Sequence, residues 1–341
     1  MRKPVAARHA VPHDVAMTRP EIQPFTDEHL ADAGRLLATR HRRHRAAQPD
    51  LSPAFEDAAT AKERVEAALA ADDASGAVAL RGDTVVGFLL GAPKQSKTWG
   101  PNLWVESAGQ ALADDEPAET VRDLYAAAAT RWVDEGRTAQ YVVVPATDVA
   151  LLDAWYRLGF GHQQAHALRA PLATDPRIAV GLVVRRAVRD DIPTLARLDV
   201  ALPQHQGLSP TFSAGEQGSV EEAQEEWEED FDDPEFTTFV AEHDGRVIGS
   251  AVACDLTKSG SNEGLMRPEK AGFLGFAAVL PEARGLGAGR ALGETVLAWA
   301  RDTGYPVVAT DWRATNLLSS RTWTALGFVP TFQRLHRTIG Y

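Results

Sequence analysis

The stretch Gly275-Phe-Ala-Ala-Val279-Leu-Pro281-Glu-Ala-Arg284-Gly285-Leu-Gly287-Ala-Gly289-Arg290-Ala-Leu292 decides the fold. An apolar run with strand character enters a glycine-rich turn and leaves it as an amphipathic helix, with Leu292, Val296 and Trp299 at helical spacing. Gly285, Gly287 and Gly289 let the backbone approach a ligand closely, and the start of the following helix turns unpaired N–H groups toward whatever sits there. Such a turn favours an anion. A Rossmann turn would read Gly-x-Gly-x-x-Gly with an acidic residue ending the next strand, and a Walker loop requires a Gly-Lys-Ser/Thr that the segment does not have.

Around this stretch lies a chain of 341 residues, 44% hydrophobic and 24% charged, too long for one typical domain and apolar enough to build large cores. No window holds the ~20 apolar residues of a membrane span. Residues 1–20 carry Arg2, Lys3, Arg8 and Arg19 without an apolar stretch, so they read as a disordered leader in which Met17 offers an alternative start. One cysteine, Cys254, excludes an intrachain disulfide and a thiolate metal site, and the expectation is a cytoplasmic protein with no metal. The net charge of −12 argues against nucleic-acid binding, which draws its affinity from a basic face.

The chain also repeats itself. Ile22 to Leu30 aligns with Val184 to Ile192 at an offset of 162 residues, and the same offset sets Arg81-Gly-Asp-Thr-Val-Val-Gly87 on His243-Asp-Gly-Arg-Val-Ile-Gly249, each reading as a β-hairpin. Asp148 to Gly159-Phe160 matches Asn316 to Gly327-Phe328 at an offset of 168, with Trp155 and Trp323 four residues before the glycines. Each half reads as strand, one or two helices, hairpin, strand, helix, strand, helix, final strand. We therefore expect an α/β (α+β) protein of two similar domains, residues 21–170 and 180–341, each with a mixed, mostly antiparallel sheet flanked by helices, joined by a linker at 171–179 marked by Pro171 and Pro176.

The pattern Val-x-Pro-x-x-Arg-Gly-x-Gly-x-Gly before a helix resembles motif A of the Gcn5-related N-acetyltransferases (GNAT superfamily), whose turn wraps the pyrophosphate of acetyl-CoA. The resemblance continues in Val183–Leu198 (first strand and helix), Phe239–Asp255 (central hairpin) and Val307–Phe328 (motif B). It implies that the backbone of Ala277, Ala278 and Val279 pairs with the pantetheine arm as an added strand. Arg284, Gly285, Leu286, Gly287, Ala288, Gly289 and Arg290 would hold the pyrophosphate. Asn316 would bond the donor near its thiol end, flanked by the motif-B helix with Ser319 and Trp323. In the first half the corresponding segment, Leu103 to Pro117, has neither the arginine nor the glycine series, and Asp114, Asp115, Glu116 and Pro117 stand where a pyrophosphate needs donors. The first half reads as a degenerate copy that walls the acceptor site or packs against the active half.

Acetyl transfer to an amine requires a neutral nucleophile, so a general base is expected. Asp311, at the end of the penultimate strand, is the favoured candidate, with Asp255, Glu263 and Glu269 as others. Its alternative roles are partner to Arg313 or N-cap in the turn before Asn316. Motif B usually carries a tyrosine seven residues after the asparagine, whose hydroxyl protonates the departing thiolate; here Trp323 stands there, and indole cannot serve as that acid. Water, Ser319 or Ser320 substitutes, the thiolate leaves unprotonated, or catalysis is lost and the chain is an acyl-CoA-binding sensor or interaction protein.

Between Glu216 and Glu235 stand eleven acidic residues and no Lys or Arg. As a field they would concentrate a cationic acceptor, whether a small-molecule amine or a protein amine. As structure they form a solvated helix face with Trp227 and Phe231 turned inward. Arg40-His-Arg-Arg-His-Arg45 reads as cations closing a helix, or as a partner for the acidic segment or for a phosphate. A monomer or homodimer, with no nucleic-acid or membrane partner, completes the expectation.

Overall fold

A computed structural model of the chain describes residues 19–95, 99–213, 218–260 and 262–340; the expected leader, apart from Arg19 and Pro20, and Glu216 lie outside them. The first half runs β1 (Glu21–Pro24), α1 (Leu30–Ala47), α2 (Ala58–Leu69), β2 (Ser75–Arg81), β3 (Thr84–Gly91), β4 (Asn102–Val105), β5 (Gln110–Leu112), α3 (Thr120–Asp134), β6 (Ala139–Pro145), α4 (Val149–Arg157) and β7 (Gly161–Arg169). The second repeats the order as β8 (Leu182–Arg186), α5 (Ile192–Gly207), α6 (Val220–Asp230), β9 (Phe236–His243), β10 (Arg246–Asp255), β11 (Gly272–Val279), α7 (Ala288–Thr303), β12 (Val308–Arg313), α8 (Leu317–Ala325) and β13 (Val329–Thr338). Among the described residues no helix is long and apolar enough to cross a membrane.

Local chemistry accounts for most of these elements. The β9–β10 hairpin closes through Asp244 and Gly245, both at positive φ, the geometry a two-residue turn needs to match strand twist. Helix α6 begins at a reciprocal cap: the Ser219 hydroxyl accepts from the Glu222 N–H at 3.1 Å while the Glu222 carboxylate accepts from the Ser219 N–H at 2.8 Å. The single strand expected near Leu103 is broken into β4 and β5, because Gly109 N–H turns back to the Glu106 carbonyl at 2.8 Å. The two pieces then join different sheets.

The strands form a sheet of order β1-β2-β3-β5 and another of nine strands, β4-β6-β13-β7-β12-β11-β10-β9-β8. This second sheet does not stop at the linker. The final strand of each half lies in the other's territory: β7 pairs antiparallel with β12 along Val308↔Arg169 to Arg313↔Gln164, and β13 pairs with β6 along Phe332↔Pro145 to Thr338↔Ala139. The exchanged strands also pair with each other at the centre. Ala165 and Ala167 of β7 accordingly sit in the core of the second half, with Leu274, Leu292 and Trp312.

Candidate functional site

Strands β11 and β12 run parallel for three residue pairs, ending at Leu274↔Thr310, where the Thr310 hydroxyl donates to the Leu274 carbonyl at 2.9 Å. Pairing stops there although both strands continue. On the β10 side Val252 faces Phe276 and Ala253 faces Leu274, so Gly275 is the extra residue of a bulge that bends β11 away. The parting opens a cleft of about 180 Å³ lined by Ala277, Asp311, Ser319 and Trp323 together with Leu202 and Gln206 of α5 and Gln164 of β7. It leads to a second space of about 110 Å³ bounded by Ala277, Ala278, Val279, Arg284, His205 and Leu318.

At the outer end the glycine turn stands exposed from Arg284 through Gly287. Gly287 is the N-cap of α7 at φ 87°, ψ 4°, a left-handed conformation that costs an L-residue about 1–2 kcal/mol. Helix α7 therefore starts with the N–H groups of Ala288, Gly289 and Arg290 at the rim. Arg290 pairs with the buried Glu294 at 2.8 Å, and the same carboxylate accepts from the Arg177 N–H at 2.6 Å, tying the turn's helix to the linker. Of the residues read from motif A, Ala277, Ala278, Val279 and Arg284 bound the two spaces, Gly285 to Gly287 continue as the exposed turn, and Ala288 is buried at the start of α7.

Motif B is arranged differently from its alternative readings. The N-cap of α8 is Asn316, whose side chain accepts from the Ser319 N–H at 3.4 Å, so Asp311 is free of that role. Arg313 and Asp311 lie close enough for their charges to interact, and Gln164 stands between them: Arg313 Nη1 donates to Gln164 Oε1 at 2.7 Å, and Gln164 Nε2 donates to Asp311 Oδ1. Trp323 is buried against α7, where a Cβ on Gly293 would come within 3.0 Å of its ring. Asp255 accepts from Thr257 and from the Tyr305 hydroxyl at 3.0 Å, and Glu263 borders a separate space beside Arg64 and Lys94. Of the four candidate bases, Asp311 is the one on the cleft.

On the other side of Gly275 and Phe276 lies a larger cavity of about 460 Å³ between α5, α6 and the sheet. Trp227, Phe231, Phe273 and Phe276 supply its apolar surface, and Asp199, Glu226 and Asp230 its carboxylates. Arg186 and Lys258 also reach it, but Lys258 is paired with Glu235. Burial pushes the Asp199 carboxyl up, and nearby Glu226 adds to the shift. Trp227 packs on Ala196 and Val200, so the acidic helix has both an inward aromatic face and a carboxylate rim on a cavity. Cys254, on the same wall, is a buried thiol pushed up to about 11, unsuited to nucleophilic attack at neutral pH.

In the first half the equivalent slot is filled from within. Gly87↔Leu112 repeats the pairing Gly249↔Val279, which makes Gln110 the counterpart of Ala277. Arg40, the α1 counterpart of Leu202 at the offset of 162, donates to the carbonyls of Gln110 and Ser107. The Gln110 side chain donates to the Val143 carbonyl at 2.9 Å and accepts from Trp155 Nε1 at 3.0 Å, bridging the parted strands. The basic run is thus not a solvated helix end: Arg40, His41 and His44 are buried, and burial holds the histidines neutral, down to about 4 and about 3. Arg43 meets Asp114 and Asp148 of its own half rather than the acidic segment.

Comparison with known proteins follows this geometry. The family model described as Acetyltransferase (GNAT) family matches residues 204–328. No curated protein matches the chain. Among solved structures it is similar to a GCN5-related N-acetyltransferase from Sphaerobacter thermophilus, at 14% identity over 95% of this chain and 97% of that one, TM-score 0.56. A GCN5-related glucosamine N-acetyltransferase region of a fungal multi-domain GH3 beta-N-acetylglucosaminidase matches at 16% identity over 94% of this chain and 38% of that one, TM-score 0.51. A tandem GNAT protein from the clavulanic acid biosynthesis pathway matches at 18% identity over 94% and 99%, TM-score 0.47. At these identities what the chain shares with the first two is the fold. Sequence reading had no access to Gln164, Leu202, His205 or Gln206 as cleft residues, since nothing in their local pattern distinguishes them.

Proposed function

We propose that this member of the acetyltransferase (GNAT) family transfers the acetyl group of acetyl-CoA directly to an amine, with the chemistry in the second half. The observation that carries the reading is the cleft at the parting of β11 and β12, which joins an exposed glycine turn and helix start to a carboxylate, Asp311, in one path. The pyrophosphate would rest on the N–H groups of Gly285 to Arg290, and the pantetheine arm would add to the edge of β11 at Ala277–Val279. The acceptor would enter from the cavity beneath α6, because Gly275 and Phe276 border both spaces.

In this reading Asp311 takes a proton from the incoming ammonium, directly or through water, and the neutral nitrogen attacks the thioester carbonyl. The C–S bond breaks as the C–N bond is completed. The nitrogen gives up its second proton to water, and the sulfur leaves as thiolate and takes a proton from solvent, directly or relayed through Ser319, the motif-B hydroxyl that lines the cleft and regains its proton from water; with a thiol pKa of about 8.5 the demand on that acid is modest. Trp323 packs the wall and takes no proton. Loss of a general base costs roughly 10²–10⁴ in rate. Asp311→Asn is therefore expected to lower kcat by about 100-fold or more at pH 7 with acetyl-CoA affinity retained, read as thiol release against a panel of amines. Acetyl-CoA binding without thiol release from any amine would favour the sensor reading instead.

The acceptor class follows from the cavity under α6. Aromatic surface beside Asp199, Glu226 and Asp230 suits an amine with an apolar body and a second positive charge. Each partly exposed carboxylate contributes about 0.5–1 kcal/mol. Glu226→Gln combined with Asp230→Asn should raise the acceptor KM about tenfold, with kcat and the acetyl-CoA KM nearly unchanged. An unchanged acceptor KM would place the acceptor elsewhere.

A further inference from the structure

We propose that Gln164, delivered to the second half by the exchanged strand β7, is the positioning residue that holds Asp311 as the base; this rests on the role given to Asp311 above. Gln164 is 6% exposed and stands in register with Arg313 of β12 and Arg334 of β13. Its Oε1 accepts from Arg313 Nη1 at 2.7 Å and from Arg334 Nη2. Guanidinium groups offer donors alone, so the amide oxygen must face them and the NH₂ must face the other way. That direction ends on Asp311 Oδ1. The amide cannot flip without setting its NH₂ against two cations, and so it presents a fixed donor to the carboxylate.

The charges around Asp311 come from three strands. Arg313 lies on its own strand, Arg334 on β13, and His166 is opposite it in register on β7. Burial pushes His166 down to about 4, leaving it neutral near pH 7, with its Nδ1 toward Asn262 Oδ1 at 3.3 Å. Glu106 and Tyr141 of the first half act on Arg334, and Tyr141 also acts on Arg313. On the cleft side Gln206 and Ser319 are the polar neighbours. Arg313 and Arg334 both donate to the Gln164 oxygen and both feel the Asp311 charge, and the Gln164 N–H adds a hydrogen bond of fixed direction to Oδ1.

A purely packing role and a positioning role separate in Gln164→Glu. The carboxylate keeps an oxygen for both arginines, so packing is preserved, but it puts a second anion where Asp311 had a donor. The test uses the full chain: aspartate carboxyl ¹³C titration by NMR, turnover of acetyl-CoA with spermidine as probe amine, acetyl-CoA affinity and thermal midpoint. Gln164→Glu should move the Asp311 midpoint up by about one pH unit or more, since like charges disfavour joint ionisation. Turnover at pH 7 should fall about tenfold, with acetyl-CoA affinity within twofold. An unmoved Asp311 midpoint in a folded variant overturns the proposal. Should the variant not fold, the wild-type chain still decides, because the Gln164 side-chain ¹⁵NH₂ resonance must shift with pH at the Asp311 midpoint and lose that shift in Asp311→Asn. Resonances that titrate independently overturn it. If they move together but Asp311→Asn keeps full turnover, Asp311 is not the base and the role of Gln164 falls with it; acetyl transfer itself would stand.

Discussion

Gly287→Glu is expected to abolish acetyl-CoA binding, with an affinity loss of at least 100-fold in calorimetric titration and none detected at millimolar ligand. Two effects act together at this position. The left-handed conformation of the α7 N-cap costs an L-residue about 1–2 kcal/mol. A carboxylate placed within about 5 Å of a bound pyrophosphate would add roughly 3 kcal/mol of repulsion per unit charge at an effective dielectric of about 20. Gly287 is exposed and a Cβ there would meet only the Ala179 Cβ at 3.8 Å, so the fold has room for the side chain and the thermal midpoint should drop by a few degrees at most. The wild-type titration should give one acetyl-CoA per chain, because Arg40 and Gln110 fill the counterpart slot. Binding retained within tenfold in the variant would place the donor away from the glycine turn.

Residues 180–341 expressed alone should not form the folded second half. That fragment lacks β7, leaving β12 without its six-residue antiparallel neighbour and β13 without both β7 and β6. It also lacks the buried Ala165 and Ala167 and the Gln164 contact to Asp311, and it exposes unpaired strand edges that favour association. We expect aggregation or a swapped dimer in sedimentation, with loss of near-ultraviolet circular dichroism and of acetyl-CoA binding. Co-expression with residues 1–179 as a separate chain should restore both. A soluble, sharply melting monomer that binds acetyl-CoA as well as the full chain would show that the exchange is dispensable.

What could be read from sequence and what could not divides by range of interaction. The glycine turn, the Asp244-Gly245 hairpin and the order of elements depend on residues within a few positions of each other, and turn chemistry and periodicity report them. The exchange of β7 and β13 escapes this reading because nothing in the local pattern of Gly161–Arg169 or Val329–Thr338 selects one neighbouring strand over another. Gln164 and Asp311 are 147 residues apart and meet only through that exchange. The basic run misled for a related reason. A string of arginines and histidines reads locally as surface, yet Arg40, His41 and His44 share the buried face of α1 and find carbonyl partners in distant segments. Asp311 was legible as a cleft residue through its place before motif B, while its hydrogen-bond partner was not.

The guanidinium in the first half's slot sets what it would take to make that half bind a ligand as the second is proposed to. The first-half segment Leu103–Pro117 has no glycine series, and a few substitutions would suffice to write one in. The space behind such a turn is occupied: Arg40 bonds the carbonyls of Ser107 and Gln110, and Gln110 ties Val143 to Trp155. Restoring the turn alone would rebuild a doorway to an occupied room, whereas removing Arg40 alone would leave buried carbonyls without donors at a cost of about 1–3 kcal/mol each. Neither change alone opens the slot, so a binding site there would need both at once. Whatever else the first half does, it supplies β7, the strand that completes the second half's sheet beside β12.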